Sequence, residues 1–366
     1  MLNNRFKTLI CFFLLSLPCL LWGETGKGTY RFLNLPYSAK LAGVGGENIT
    51  MSTDHAGQIY NNPSLFTSAM TKSLSATYVN YLVDANGGMF SFAYTKDTLN
   101  YFGVNFLFMG YGDLEGYDKS GVATGEFSAA DYALNLVYAR YLGAHIRVGL
   151  ALKPIYSHIS SYTSVGLGFD VGMNYNNEEI GLCAGFVVRN FGFRFSSYYE
   201  DQDTERLPWN MQIGISKRLM HAPFRFSVTY DHLNDWNLDY TRVADATTGE
   251  VKDINGADMF FRHVVFGVEI LFSKYFHIDA GYNHRRNREY QLSNARGING
   301  FSFGAGFKVY KFNLDAAYAQ YAPSGGTFTL SLSTNIDSFK EKSERKSQKE
   351  EKQTTAKVVE SVNSID

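Results

Sequence analysis

Val165-Gly166-Leu167-Gly168-Phe169-Asp170-Val171-Gly172-Met173-Asn174-Tyr175 reads as two interleaved sequences. The odd positions are all bulky, apolar or aromatic. The even positions are Gly, Asp or Asn. A repeat of two is the period of a β-strand, whose side chains alternate between faces. The run is longer than the five or six residues common in soluble strands, and roughly 9–11 residues suffice to cross an outer membrane at a tilt.

The same alternation returns along the chain. Tyr132, Leu134, Leu136 and Tyr138 alternate with Ala133, Asn135 and Val137; Phe224, Phe226, Val228 and Tyr230 alternate with Arg225, Ser227 and Thr229. Fourteen such runs lie between 72–83 and 326–336. The even-numbered connections between them are all short, whereas the long ones (111–126, 191–207, 234–259 and 287–296) are all odd. Short turns at one end and longer loops at the other are the mark of a membrane barrel, and an even strand number places both barrel ends in the periplasm. The fold expected is all-β, a 14-stranded antiparallel transmembrane β-barrel over 72–336.

Composition agrees. The chain has 25 Tyr and 29 Phe against 3 Trp, as aromatic girdles require, and 19% charged residues, below the roughly 25% of soluble proteins. A net charge of −1 with 45% hydrophobic residues excludes an extended disordered chain and gives no basis for nucleic-acid binding. Arg5 and Lys7 followed by the uncharged run Thr8–Gly23 read as a signal peptide over 1–23. Its removal leaves Cys183 as the single thiol, so no internal disulfide can form. Residues 337–366 carry seven basic and seven acidic side chains and one aromatic, a disordered periplasmic tail by composition.

Residues 24–71 show no sustained alternation, yet carry Leu33, Leu41, Val44, Ile49, Leu65 and Phe66. A fourteen-stranded barrel is wide enough to hold such a segment as a hatch in its lumen. Within it, Tyr30-Arg31-Phe32-Leu33-Asn34-Leu35-Pro36-Tyr37-Ser38-Ala39-Lys40 runs into Leu41-Ala42-Gly43-Val44-Gly45-Gly46, followed by Asn61-Asn62-Pro63-Ser64-Leu65 and Tyr78-Val79-Asn80-Tyr81. These residues resemble the PorV/PorQ group of type IX secretion outer-membrane proteins of the Bacteroidetes, its PorQ-like members most of all. That group is in turn similar to FadL-like barrels, and Asn62-Pro63-Ser64 is similar to their hatch Asn-Pro-Ala triplet, with Ser64 as a departure.

The resemblance covers residues 30–81 and implies a hatch motif of Asn34, Leu35, Pro36, Ser38, Ala39, Gly43, Gly45, Gly46, Asn61, Asn62 and Pro63. It implies a non-enzymatic component of a secretion and attachment complex, anchoring a PorZ-like surface protein through outer loops beside outer-membrane lipids and lipopolysaccharide. Phe193, Tyr198, Tyr199, Trp236 and Tyr240 in those loops are of the residue types that anchor partners. The alternatives are a FadL-like transporter of hydrophobic small molecules and a PorV-like cargo shuttle.

No catalytic, metal or cofactor signature stands out. Asp54-His55 and Asp231-His232 lack a convergent nucleophile, and no paired cysteines or metal-ligand spacing occurs. The lumen charges are more telling. By parity Arg147, Lys153, Asp170, Arg189, Arg225, Glu269, Asp279, Lys308 and Asp315 point inward. Their mixed sign suits locking of the hatch better than an ion pathway.

Overall fold

The computed structural model describes residues 28–51, 53–82, 84–196, 206–238, 254–289, 298–322 and 325–339. The expected signal peptide, and the tail from residue 340 on, lie outside these. The barrel strands are β1 (Ser73–Asn80), β2 (Asn86–Thr95), β3 (Asn100–Tyr117), β4 (Ala123–Tyr141), β5 (Ile146–Ile159), β6 (Tyr162–Asn177), β7 (Leu182–Arg194), β8 (Asn210–Arg218), β9 (Phe224–Tyr230), β10 (Val264–Ile270), β11 (Phe276–Asn283), β12 (Phe301–Val309), β13 (Phe312–Ala322) and β14 (Gly325–Asn335). Each pairs with its sequence neighbours, and β1 pairs antiparallel with β14 from Ser73↔Asn335 to Asn80↔Phe328, closing the barrel.

Burial separates a membrane barrel from a soluble sandwich, which alternation alone does not. Phe90 is 58% exposed and Leu150 54%, while Asn105, Asn135, Asn174 and Thr329 are at 0%. Water would reverse that order; lipid around the wall produces it. The outward rings form two belts. Phe106, Tyr132 and Tyr156 stand side by side at centroid spacings of 6.4 and 6.3 Å, and Phe102 and Tyr138 pair at 5.3 Å nearer the short turns. No described helix is long and apolar enough to cross a membrane.

Four expectations need correction. The segment 111–126 is no loop: β3 and β4 continue to Tyr117 and from Ala123 as a tall hairpin, past a register shift between Gly110 and Asp113. Above that shift both faces meet water, so the apolar alternation that marks a strand vanishes there. Residues 260–263 and 284–286 are not strand: helix α2 (Gly256–Arg262), with His263 at its C-cap, and helix α3 (His284–Glu289) occupy them. The Asn255 side chain accepts from Ala257 N and caps α2, which an Asp258–Arg262 pair at 3.0 Å ties across one turn. Phe193 lies on β7, not in a loop. The first tail residues are fixed: Lys72 pairs with Asp337 at 2.8 Å and Phe339 packs on Phe312.

Inside the wall lies the chain from residue 28 to 70. It holds helix α1 (Ala39–Gly43) and several 3-10 turns, and nearly all of its side chains from Phe32 to Met51 are buried. Toward the long-loop end it builds an apolar cluster with the wall, including Phe32, Tyr37, Tyr60, Met89, Leu107 and Met109. Toward the short turns a second cluster joins Ile59, Phe66 and Met70 to Ala93, Tyr101 and Ala139.

Candidate functional site

The site is the contact between hatch and lumen. It begins with small side chains that let backbone meet backbone. A Cβ on Gly149 would stand 2.3 Å from the Pro63 carbonyl carbon, and one on Gly281 would stand 2.1 Å from Gly45 N. Gly45 and Gly46 have φ of +103° and +85°, a left-handed region that disfavours side chains. This lets the chain turn sharply after α1. Wall serines then catch hatch backbone. Ala39 N donates to Ser331 Oγ at 2.9 Å, Gly45 N donates to Ser302 Oγ at 2.9 Å, and Ser302 Oγ donates to the Gly43 carbonyl at 3.0 Å.

The remaining hatch-motif residues are structural hubs. Ser38 caps α1, accepting from Leu41 N, and takes a second hydrogen bond from Gln58 Nε2 at 3.0 Å. Asn62 Oδ1 accepts from Ser64 N and Oγ at 3.0 and 2.6 Å, while its Nδ2 donates to the Ile49 carbonyl at 3.1 Å. Pro63 opens the following turn, where its missing N–H is no loss. Asn61 Nδ2 donates to Gln58 Oε1 at 3.4 Å, Asn34 Oδ1 accepts from Asn190 Nδ2 at 2.8 Å, Leu35 packs on the upper cluster and Pro36 is buried. Replacing Asn62 by Ala removes both cap bonds and the tie to Ile49. Unfolding should then begin at lower denaturant, by about 1–2 kcal/mol, as read from a urea titration of the purified barrel.

Charges complete the contact. Glu269 accepts Lys40 and Arg225, each at 2.9 Å. Burial disfavours the Lys40 ammonium, but the Glu269 and Asp279 carboxylates together outweigh it and hold its pKa above the usual lysine value. Arg189 reaches Glu47 at 3.5 Å, and Gln212 Nε2 donates to Glu47 at 2.8 Å. Burial, with the Asp231 carboxylate nearby, pushes the Glu47 carboxyl up against the pull of Arg189. Arg147 donates to the Phe66 carbonyl and to Asn174 Oδ1. His55 stands 3.5 Å from Asp315 and Lys308 stands 3.7 Å from Asp54. The hydrogen bond from His55 holds the Asp54 carboxyl below the ordinary range.

Lys153, Asp170 and Asp279 instead find their partners within the wall. Lys153 and Asp170 pair with each other at 2.7 Å, both fully buried, with the Lys153 ammonium 4.4 Å from the centre of the Tyr60 ring. Asp279 faces His277 at 3.3 Å. Lys40 and Glu47 escaped the sequence reading of charge. The available signal is that they are the only charged residues between Phe32 and Thr53, set opposite a mixed-sign lumen.

The loop residues divide. Phe193 continues the outward row of β7, 5.1 Å from Phe195, which is a girdle position. Trp236 is 57% exposed and stacks on His263 at 5.2 Å. Tyr198, Tyr199 and Tyr240 lie outside the described residues. Among the described residues no group of three or more His, Cys, Asp or Glu is placed to hold a metal ion.

The chain matches no family model and no curated protein. It does resemble solved structures. The CymD monoaromatic hydrocarbon channel superposes with a TM-score of 0.52 at 12% identity, covering 84% of this chain and 99% of that one. The toluene transporter TodX of Pseudomonas putida gives 0.51 at 12%, covering 82% and 98%, and a TodX deltaS2 mutant gives 0.52 at 10%, covering 83% and 99%. At these identities the likeness is one of fold. The chain has the fold of FadL-like outer-membrane barrels, which fits an outer-membrane location. The comparisons give no support to the narrower PorV/PorQ assignment.

Proposed function

We propose that the protein is a hatch-gated outer-membrane channel for hydrophobic small molecules. One observation carries this reading. Toward the long-loop end the plug residues Phe32, Tyr37 and Tyr60 join the wall residues Met89, Leu107 and Met109 in one apolar cluster, in a barrel whose fold is that of hydrocarbon channels. Such an apolar contact, parted by a shift of the hatch, would line a path suited to a solute that leaves water favourably. The ion pairs at Lys40 and Glu47 then act as fastenings that let the hatch shift without unfolding the wall. The test is uptake of labelled toluene by a host lacking its own such channels. Expression should raise the initial rate several-fold; a rate equal to that of the empty host removes this reading.

A second reading is anchoring of a PorZ-like surface protein within a type IX secretion complex. The exposed Trp236, and Phe195 with its ring beyond the end of β7, favour it. Trp236→Asp with Phe195→Asp should then abolish recovery of a surface protein from solubilised membranes while leaving toluene uptake intact. If the wild-type chain recovers no surface protein, the anchoring role falls.

A further inference from the structure

At the short-turn end the hatch seals the lumen unevenly. On the side of β2 to β5 it packs apolar against apolar, Phe66 and Met70 on Ala93 and Tyr101. On the side of β8 to β13 a cavity of about 400 Å³ remains. That lies in the range of small-ligand pockets, roughly 300–1,000 Å³.

Five side chains of fixed positive charge line this vestibule, each from a different part of the fold: Lys40 on α1, Arg218 at the end of β8, Arg225 on β9, Lys274 in the turn before β11 and Lys308 on β12. The negative charge available to them is smaller and already engaged. The carboxylates in the lining are Asp54 and Asp315, and His55 faces both, at 3.2 and 3.5 Å. Asp279 lies behind, against His277. Glu269 also lies behind, one carboxylate shared by two cations, Lys40 and Arg225.

At the rim, Lys308 meets Asp54 only at 3.7 Å. Among the described residues Arg218 and Lys274 form no ion pair, although Lys274 stands over the Tyr275 ring at 5.0 Å. In the floor, His277 Nε2 stands 3.3 Å from both Asp279 and Asp315, so these carboxylates too are engaged. Cations converging on a cleft with low-dielectric walls raise the local concentration of anions, and Arg and Lys donors suit phosphate and carboxylate oxygens.

We propose that this vestibule binds a soluble anion carrying a phosphate or carboxylate group. The site does not depend on what crosses the barrel or on whether the hatch opens. Lys308, Lys274 and Arg218 form the entrance, and Lys40 and Arg225 hold the anion from below.

Calorimetric titration of the detergent-solubilised full chain tests it, with inorganic phosphate and separately with succinate at low ionic strength. Saturable binding of at least one anion is expected. The triple variant Arg218→Gln/Lys274→Gln/Lys308→Gln should weaken it by at least about tenfold. All three side chains are exposed, so the barrel should fold, as heat-modifiable gel mobility will report. Lys72→Gln, at the same end but paired with Asp337 outside the cavity, should bind as the parent does. Whichever probe binds identifies the group recognised. No saturable binding of either probe, or equal binding by the triple variant, overturns the proposal.

Discussion

A barrel carrying Gly149→Val and Gly281→Val is expected to pass small water-soluble solutes that the unaltered protein excludes. The new side chains would enter space held by hatch backbone, 2.3 Å from the Pro63 carbonyl carbon and 2.1 Å from Gly45 N at the Cβ alone. Backbone at that distance cannot yield by a rotamer change. The wall has the opposite preference, since valine is a favourable strand residue. The cost therefore falls on the hatch, which lifts from two separate contacts while the closed ladder stays. A fourteen-stranded lumen without its plug is wide enough for water, so sugar entry into proteoliposomes should quicken by at least about tenfold. Heat-modifiable mobility should show that the barrel still forms. Sugar exclusion unchanged from the parent would mean that the hatch does not seal the lumen through these contacts.

Lys153→Met should destabilise the protein by about 3–5 kcal/mol, because it strands a fully buried carboxylate. Asp170 would keep the bond from Asn190 N at 2.7 Å but lose its ammonium, and Asn190 Oδ1 would lose a donor at 2.8 Å. The double variant Lys153→Met/Asp170→Leu removes both charges and should recover most of that loss. Urea titrations followed by gel mobility give both values. If the double variant is as unstable as the single one, the pair contributes more than the avoidance of an orphan charge. Tyr60 lies against the same ammonium, and burial pushes its phenol up, so it stays a neutral ring through the neutral range.

Much of this was legible in the residues. Alternation gave each wall strand and its facing: Tyr132, Leu134 and Leu136 outward, Ala133 and Asn135 inward. It worked wherever one face meets lipid and the other the lumen. It failed at 111–117 and 123–126, where the hairpin has water on both sides. It failed again at 260–262, where an apolar stretch with Phe260 and Phe261 continues into β10 and only the Asn255 cap and the Asp258–Arg262 spacing mark a helix. Local motif reading placed the hatch between 24 and 71, and the parity of Arg147, Lys153 and Asp170 placed them inside. It did not show which charges meet. Lys40 and Glu269 are far apart in the chain, as are Glu47 and Arg189, and only closure of the barrel brings them together.

The sequence by itself determined the wall: a two-residue period, bulky outside and small or polar inside, is a local rule that each strand obeys without reference to any other. The tertiary structure decided the plug. A hatch has no period of its own, and its position depends on where the wall leaves room. Gly149 and Gly281 are strand residues until Pro63 and Gly45 come to lie on them. The run that opens at Val165 holds both kinds of information. Its odd residues define a lipid-facing strand unaided, while Asp170 and Gly172 on its even side acquire their meaning from Lys153 and Asn62, which only the folded lumen sets against them.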